Sequence, residues 1–457
     1  MPIILDVNQA FVCDNTQNPL ISFGISPKLY YLCTYIINMR VLIVNTSERT
    51  GGAAVAANRL MKALNNNGVK AKMLVRDKES DTLTVVGLPR PGLSRWHFLW
   101  ERFVIFCRLH FSREHLFDID IANAGSDITR LREFQEADII HLHWINQGML
   151  SLSGIRKILE SGKPVIWTMH DIWPATAICH VTLNCRYFTT QCSQCRLLPG
   201  GGSDSDLSVS IWRKKQRILQ EGNIYFVACS RWLESEAKKS ALLKGQKITS
   251  VPNPIDTHIY RRGNKEEARQ RLGLPIDRKL ILFASQRVTN DYKGMNYLIE
   301  ACRLLADIPH LGVLILGGHA EDVVEQLPLE AYPLGYVNDE QRIVDVYHAA
   351  DVFVLPSLSE NLPNTIMEAM ACGVPCVGFR VGGIPEEIDH RRNGYVAEYR
   401  NAEDLARGIR WILTEADYEG LCQNAVHKVA QNYSQQSVAM KYLDVYHQAM
   451  AFKNYRL

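Results

Sequence analysis

The sequence predicts an α/β protein made of two doubly wound domains that face each other across a cleft. From residue 41 onward, short apolar runs alternate with stretches of helical periodicity, which is typical of βαβ units around a mainly parallel sheet. A charged stretch at 261–271 separates these runs into two series. The chain has 457 residues, of which 47% are apolar, so it is long enough for two or three cores. We therefore expect two parallel sheets with a boundary near 254–262.

Ten apolar runs predict the strands in order. In the first series they are 41–46, 71–75, 139–144, 165–169 and 225–230. In the second series they are 280–285, 313–318, 333–337, 351–356 and 375–379. Because open α/β sheets bind ligands outside the carboxyl ends of their strands, the residues that follow each run are the candidate site residues.

Residues 1–38 precede this pattern and add little to the predicted fold. They lack the basic region and long apolar core of a targeting segment. Their apolar run at 29–37 is much shorter than the ~20 residues that span a bilayer. Met39 leads directly into the first strand, so we expect 1–38 to be either an upstream extension or a start-site artefact.

Charge and cysteine content narrow the class of protein. The formal net charge is only +3, so the composition does not indicate a nucleic-acid partner. Twelve cysteines without a secretory leader indicate a reducing compartment. We therefore expect the protein in the cytoplasm.

The run from Glu360 to Glu368 is the clearest functional signature. It predicts a tight loop that holds Glu360, then a helix that Asn364 caps and whose first turn holds Glu368. Both carboxylates would face one crevice, where the helix N-terminus offers free N–H groups to a diphosphate. Glu368 would accept from the vicinal hydroxyls of a ribose, and Glu360 from those of a transferred sugar. The alternative interpretation is a solvated helix start.

Cations and glycines follow two other predicted strands. Arg287 and Lys293 follow the strand 280–285, where they can stabilise the charge of a diphosphate leaving group without a metal. Gly51 and Gly52 follow the first strand and allow close approach of a ligand at a helix start. Taken singly, such cations are more often surface charges and such a glycine pair is usually a turn. Their coincidence with the glutamate pair favours a phosphate site.

Three histidines lie on predicted strands or directly after them. His170 follows the strand 165–169, level with the place of an acceptor hydroxyl, and is either a site residue or a structural one. His141 and His143 alternate on another strand, and one pair supplies too few ligands for a metal site. We expect these two to be core or cleft-wall residues.

A cluster of four thiols follows His170, made of Cys179, Cys185, Cys192 and Cys195. In a reducing compartment such a cluster indicates a structural zinc site or a labile redox loop, and less often a disulfide pair. Any metal held there would shape a loop and would not carry out catalysis.

These motifs resemble those of glycosyltransferase family 4, the retaining nucleotide-sugar transferases with the two-Rossmann architecture called GT-B. The resemblance covers about 39–450 and includes the segment Val381-Gly382-Gly383-Ile384-Pro385-Glu386. It implies an acceptor-binding domain at 39–257 and a nucleotide-sugar-binding domain at 258–432. It also implies a final helix, 433–457, that packs back on the first domain.

The same resemblance implies roles for the site residues. Arg287 and Lys293 would hold the diphosphate, and Glu368 would hold the ribose. Glu360 would hold the donor sugar and His170 would lie near donor sugar and acceptor, so these two are the implied catalytic residues. Transfer with retention, without a catalytic metal or other cofactor, is also implied.

Two features depart from the commonest form of the family. The spacing between Arg287 and Lys293 is one residue longer than in that commonest form. The glycine-rich version of the carboxylate motif is replaced by Asn361-Leu362-Pro363-Asn364, which resembles bacterial capsule and exopolysaccharide transferases. Because proline has no N–H, we expect the phosphate contacts at Asn364 and Thr365.

The resemblance also implies that Val337, in the segment 334–337, lies against the base of the nucleotide.

Aromatic and basic residues mingle at helical spacing between Arg95 and Arg113. They suit either an interfacial helix on an anionic membrane or a buried helix with snorkelling arginines. Membrane docking would fit a lipid-linked saccharide acceptor. It would place the protein at the inner face of the membrane.

We therefore expect a glycosyltransferase that passes a hexosyl-type group from a nucleoside-diphosphate sugar to a saccharide or lipid-linked saccharide in cell-surface polysaccharide biosynthesis. A metal-dependent transferase of the GT-A type is one rival, since Asp118-Ile119-Asp120 matches its carboxylate motif formally. A nucleotide-sugar epimerase or hydrolase of the same GT-B architecture is another. A non-catalytic binding module is disfavoured because both glutamates and both cations are present.

Overall fold

A computed structural model describes residues 39–182 and 184–454 of the chain, and the predicted extension at 1–38 lies outside these ranges. The named strands of the described residues form two fully parallel sheets. The first sheet has seven strands in the order β3-β2-β1-β4-β5-β6-β7. The second has six strands in the order β10-β9-β8-β11-β12-β13. The predicted α/β class with two doubly wound units is confirmed.

The strands of the first sheet are β1 (Arg40–Ser47), β2 (Lys70–Asp77), β3 (Val85–Gly87), β4 (Ile139–Leu142), β5 (Val165–Met169), β6 (Tyr225–Ala228) and β7 (Lys247–Ser250). Those of the second are β8 (Lys279–Arg287), β9 (Leu311–Gly318), β10 (Glu330–Gly335), β11 (Val352–Leu355), β12 (Cys376–Phe379) and β13 (Gly394–Ala397).

The helices of the first half are α1 (Gly52–Asn66), α2 (Pro91–Arg108), α3 (Arg132–Glu136), α4 (Leu152–Glu160), α5 (Leu207–Glu221) and α6 (Arg231–Lys238). Those of the second half are α7 (Lys265–Leu272), α8 (Met295–Arg303), α9 (Glu340–Ala349), α10 (Asn364–Ala371), α11 (Ile384–Glu387), α12 (Ala402–Thr414) and α13 (Tyr418–Asn432). A last helix, α14 (Gln435–Asn454), follows.

The central strands are continuous apolar runs because helices cover both faces of each sheet. In β1, Leu42 and Val44 belong to the core on one face, and Val41 and Ile43 to the core on the other. The three strands that the sequence did not predict, β3, β7 and β13, are short edge strands of three or four residues.

The strand order reverses beside β1 in the first sheet and beside β8 in the second. At such switch points the loops after neighbouring strands diverge and leave a crevice at the carboxyl edge of the sheet. The two crevices face each other, since side chains from one half bond to groups of the other across them. The predicted cleft between the two units is therefore present.

Helix α14 completes the core of the first sheet, as the predicted return helix requires. The hydroxyl of Tyr446 lies 2.9 Å from Nδ1 of His141, and the hydroxyl of Tyr442 lies 2.9 Å from that of Thr168. All four side chains are buried. The chain returns to the first half through Ser434, which forms a β-bridge with Ile255.

Candidate active site

A cavity of about 430 Å³ lies between the two sheets, where the carboxyl ends of the central strands meet. One wall comes from the loop after β1 and the start of α1. The other comes from the loops after β8, β10 and β11 and from α10. Nine residues predicted for the site line this cavity: Gly51, Gly52, His170, Lys293, Val337, Glu360, Asn364, Thr365 and Glu368.

Two helices begin at the cavity without a side-chain cap. These are α1, which begins at Gly52, and α10, which begins at Asn364. The first N–H groups of a helix have no partner within the helix, and the helix dipole makes this end positive. Two such ends directed at one cavity favour binding of an anion such as a diphosphate.

Asn364 does not cap α10, and this part of the prediction is wrong. Pro363 occupies the cap position, with extended backbone angles. The amide of Asn364 instead donates to the Gly52 carbonyl at 3.0 Å and accepts from Nδ2 of Asn253 at 3.0 Å. It therefore ties the two halves together across the cleft, and Glu368 lies one residue further into the helix than predicted.

A cation and a carboxylate meet at the centre of the cavity. Lys293 donates from Nζ to Oε1 of Glu360, which also accepts from Oγ of Ser357 at 3.0 Å. Gly294 brings the lysine loop close, because it has a φ of 74° and a Cβ there would lie 1.9 Å from the carbonyl oxygen of Pro356. No other residue type fits this approach without moving the backbone.

The loop of Glu360 is fixed from both halves of the protein. Asn361 donates from Nδ2 to the carbonyl of His170 at 3.1 Å and accepts from Oγ of Ser230 at 2.6 Å. Gly382 has a φ of 57°, and a Cβ there would lie 1.6 Å from the carbonyl oxygen of Glu360. The position of the carboxylate thus depends on contacts to two sheets.

Glu368 is buried and hydrogen-bonded through both oxygens. Oε1 accepts from Nη2 of Arg59 and Oε2 from the hydroxyl of Tyr347, each at 2.7 Å. Arg59 comes from α1 in the other half and lies 4.9 Å from the ring centroid of Tyr260. Burial acts to lower the pKa of Arg59, but the Glu368 carboxylate raises it above its ordinary value. A carboxylate has about four acceptor positions, so Glu368 keeps capacity for a pair of vicinal hydroxyls.

Two buried histidines, His141 and His143, and the half-buried His170 form a row that ends at the cavity. Nδ1 of His143 lies 2.9 Å from Nε2 of His170, and His141 bonds to Thr168 at 2.8 Å and to Tyr446. Burial lowers the pKa of His170 to about 4, that of His141 to about 3, and that of His143 well below its usual range. His170 therefore presents an uncharged ring to the cavity at neutral pH.

Arg287 lies outside the cavity wall. Its side chain is exposed at the end of β8 and donates from Nε to Oγ1 of Thr289 at 3.1 Å. Beside it the wall is formed by Ser285 and Gln286, and the strand register shifts between Ala284 and Arg287. A role for this arginine in holding a diphosphate stays a prediction.

The sequence reasoning missed Arg59, Tyr347 and Asn253, which contact the predicted carboxylate and amide. The signal for Arg59 was its place in the helix. It lies three residues after Ala56 and four before Ala63, on the buried stripe of α1. An arginine on such a stripe is almost never fully buried unless it is paired.

The four clustered cysteines are free thiols. Within 39–182 and 184–454, no group of three or more His, Cys, Asp or Glu side chains is arranged to hold a metal ion. Cys192 lies in the core of the first sheet, where burial raises its pKa to about 12. Cys179 and Cys195 pack against the same core. The four thiols are therefore not brought together as the predicted zinc site of Cys179, Cys185, Cys192 and Cys195 requires. Three of them, Cys179, Cys192 and Cys195, pack instead as small apolar residues.

Two family models match the chain. The one described as Glycosyltransferase Family 4 matches residues 50–259, and the one described as Glycosyl transferases group 1 matches residues 264–431. The chain belongs to the group 1 glycosyltransferases of family 4. The first matched segment of this glycosyltransferase carries all strands of the first sheet except β1, and the second carries the whole second sheet. The fold is GT-B, as the resemblance implied.

Individual proteins resemble this glycosyltransferase more distantly. The D-inositol 3-phosphate glycosyltransferase of Saccharomonospora viridis is 29% identical over 45% of this chain and only 51% of the relative. An uncharacterised glycosyltransferase of Methanocaldococcus jannaschii is 27% identical over 73% of this chain and 90% of the relative. The structure of Anabaena HepE in complex with UDP-glucose superposes with a TM-score of 0.59 at 16% identity, covering 90% of this chain and all of HepE.

The GT-B fold of this glycosyltransferase leaves no place for the rival GT-A interpretation, which needs a single-domain fold. In the formal carboxylate motif, Asp120 is buried and bonds to Arg102 and to Nε2 of His180. Asp118 is exposed and lies 2.8 Å from Nδ1 of His115. Both carboxylates of this motif therefore already have partners within the protein.

Replacing Glu368 by Gln is expected to lower the free energy of unfolding by about 3–5 kcal/mol, because the buried guanidinium of Arg59 loses its counter-charge. The double variant Arg59→Met/Glu368→Gln should recover most of this loss, since no uncompensated charge remains. Urea denaturation of wild type and both variants measures the effect. Equal stability of the wild type and the Glu368→Gln variant would contradict a buried ion pair.

The histidine row predicts a pH-dependent stability. His141, His143 and His170 have lowered pKa values in the folded state, so the unfolded chain binds more protons as the pH falls below about 6.5. The free energy of unfolding should therefore fall between pH 6.5 and pH 4, by up to ~1.4 kcal/mol per pH unit for each histidine. Calorimetry in buffers of different ionisation enthalpy counts the protons taken up. His141→Asn should remove about one proton, whereas the exposed His258→Asn serves as the control.

Proposed function

We propose that this glycosyltransferase transfers a hexosyl-type group from a nucleoside-diphosphate sugar to a saccharide acceptor with retention, in cell-surface polysaccharide biosynthesis. The observation that carries the proposal is the Lys293–Glu360 pair, fixed at the strand ends between two uncapped helix N-termini. In this proposal Lys293 stabilises the negative charge of the diphosphate, and Glu360 accepts hydrogen bonds from the sugar hydroxyls. These two interactions allow a glycosyl diphosphate to be cleaved without a metal.

The cavity accommodates each part of such a donor. The diphosphate fits between the starts of α1 and α10, beside Lys293. The ribose hydroxyls fit the remaining acceptor positions of Glu368, and the base fits against Tyr336 and Val337. The Anabaena structure that resembles this fold was determined with UDP-glucose, which supports a nucleotide-sugar donor.

The transfer breaks the bond between the anomeric carbon and a diphosphate oxygen, and the electron pair leaves with the diphosphate. Lys293 and the two helix ends stabilise this developing charge. The acceptor hydroxyl passes its proton to the departing diphosphate oxygen while its own oxygen forms the new bond to the anomeric carbon. Because both events occur on the same face of the sugar, the configuration is retained. His170 is uncharged at neutral pH because burial lowers its pKa to about 4, so it contributes a hydrogen bond rather than a positive charge.

A second cavity favours transfer over epimerisation or hydrolysis. It has a volume of about 590 Å³, opens on the far side of Glu360, and shares His170 and Asn361 with the first cavity. An epimerase or a hydrolase has no need for a second organic substrate. Space for one directly beside the donor-sugar carboxylate supports an acceptor-dependent reaction.

The proposal includes a lipid-linked acceptor at the inner face of the cytoplasmic membrane. Helix α2 buries Glu101 and Ile105 on one face, while Trp96, Trp100 and Phe103 on another are 59%, 43% and 55% exposed. Exposed aromatics with neighbouring exposed arginines, at 95 and 108, are typical of interfacial helices on anionic lipids. Among the described residues, no helix is both long and apolar enough to span the bilayer.

A small anionic acceptor is the second candidate. The name of the Saccharomonospora viridis relative gives its acceptor as D-inositol 3-phosphate. That match covers only 51% of the relative, so D-inositol 3-phosphate is the alternative to a lipid-linked saccharide as the acceptor. A donor panel read by mass spectrometry, with inositol phosphates and lipid-linked saccharides offered in parallel, distinguishes the two.

Substitution of either central charge should abolish transfer. Glu360→Gln and Lys293→Ala are each expected to lower kcat by about 100-fold or more, because each removes an interaction that strengthens as the diphosphate departs. The measurement is acceptor-dependent release of nucleoside diphosphate, with circular dichroism to confirm folding. The exposed variants Glu325→Gln and Lys244→Ala are matched controls. Wild-type turnover in either central variant would contradict the assigned site.

Membrane docking is tested by liposome flotation. The variant Trp96→Ser/Trp100→Ser should lose most of its binding to vesicles that contain anionic lipid, because the two rings supply much of the exposed apolar area of α2. Leu304→Ser, which removes a similarly exposed apolar side chain elsewhere, is the control. Equal flotation with anionic and neutral vesicles would contradict the proposal.

A further inference from the structure

The second cavity carries a charge pattern that its role as acceptor space does not explain. It lies between the two halves and is lined by residues that follow β5, β11, β12 and β13 and by α6. Its lining includes three acidic and three cationic side chains, counting His180. Which of these charges are already neutralised decides what kind of acceptor the cavity can hold.

Each acidic residue of the lining already has a cationic partner. Asp171 pairs with His180 at 2.7 Å, and the pKa of that imidazole is raised to about 10 because Asp171 and Asp120 outweigh the effect of burial. Glu236 pairs with Lys239, and Glu360 pairs with Lys293. The acidic side of the cavity is thus compensated within the protein.

Arg380 and Arg400 remain without an acidic partner. Arg380 directly follows β12, and Arg400 closely follows β13. These two strands are parallel neighbours, so both arginines lie at the same edge of the second sheet. Within the described ranges, no carboxylate lies within ion-pair distance of either guanidinium. The guanidinium of Arg400 lies 5.1 Å from the ring centroid of Tyr399. The cavity therefore has an uncompensated charge of about +2, close to the charge that a phosphate group carries at pH 7.

The backbone of Arg400 supports a functional reason for this residue. Its φ is 61°, in the left-handed region that costs most side chains about 1 kcal/mol or more. Glycine would adopt this conformation more easily, yet the chain places a guanidinium there. Residues held in this region cluster at active sites and ligand clamps, where the surrounding structure maintains them.

Aromatic side chains frame the same space. Trp232, at the start of α6, is 39% exposed, and Tyr399, whose hydroxyl donates to the carbonyl of Leu358 at 3.1 Å, is 44% exposed. Broad, half-exposed rings suit contact with the apolar face of a sugar ring. The two halves thus offer aromatic contact for a saccharide and arginines for an anion, with Glu360 and His170 at the inner end.

We propose that the second cavity binds a phosphorylated saccharide acceptor, with Arg380 and Arg400 holding its phosphate or diphosphate and Trp232 and Tyr399 framing its sugar. This inference rests on the proposed transfer reaction and specifies its acceptor class. Guanidinium groups bind phosphate oxygens through paired, charge-assisted hydrogen bonds. The phosphate can belong to a soluble sugar phosphate or to a lipid-linked saccharide.

Binding of defined probes tests the inference without knowledge of the natural acceptor. The protein is first titrated with UDP, GDP, ADP and TDP, and then saturated with the nucleotide that binds most tightly. Glucose 1-phosphate, a short prenyl diphosphate in micelles and neutral methyl glucoside are titrated next by calorimetry. We expect both phosphorylated probes to bind at least about tenfold more tightly than methyl glucoside. The tighter of the two phosphorylated probes identifies the soluble or the lipid-linked source.

Variants assign this binding to the two arginines. Arg380→Gln/Arg400→Gln should weaken binding of the phosphorylated probes by about tenfold or more, and Arg380→Lys/Arg400→Lys should retain part of the affinity. Arg392→Gln, an exposed arginine outside the cavity, is the matched control.

Two results would overturn the inference. One is equal affinity of the wild type for charged and neutral probes, including no binding of either. The other is unchanged affinity in the Gln double variant. Failure to bind any nucleoside diphosphate in the first titration would instead overturn the proposed donor site, and the phosphate probes are then titrated without nucleotide.

Discussion

The ion pair between Arg59 and Glu368 is the contact on which the geometry of the cleft depends. It joins the first helix of one half to a carboxylate on α10 of the other, in a place where both side chains are about one-tenth exposed. Separating the halves would leave two charges that were positioned for each other, which is costly in a dry interface. The amide of Asn364 adds a second, uncharged link beside it. The proposed ribose contact and the contact between the halves therefore share one carboxylate, that of Glu368.

The core of the fold could be predicted because its strands are buried on both faces. A strand such as β8 contains an unbroken run of five apolar residues, Leu280 to Ala284, and such runs are visible without any structure. The edge strands β3, β7 and β13 pair on one side only and are short, so their sequences contain little apolar periodicity. Prediction from sequence thus succeeds at the centre of a parallel sheet and weakens toward its edges.

In the candidate site, the sequence indicated residues that follow strands but not the partners that reach them from the opposite half. Glu360 and Lys293 were predicted from their own loops, and the structure brings them together. Arg59 contacts Glu368 across 309 residues of chain, and no local spacing can reveal a pair so distant. Asn364 illustrates the converse error, because a local capping rule was applied to a side chain that is used across the cleft.

The return of α14 to the first sheet has a consequence for synthesis of the chain. The core behind β1 and β5 includes Val438, Tyr442 and Tyr446. The hydroxyls of the two tyrosines also bond to groups on β4 and β5. A ribosome synthesises these residues only after the whole second sheet. The amino-terminal half therefore leaves the exit tunnel with part of its core uncovered, and its folding cannot finish before the second sheet and α14 have been made. In this protein the first sheet is synthesised before the second, but its core is completed after the second sheet has been made.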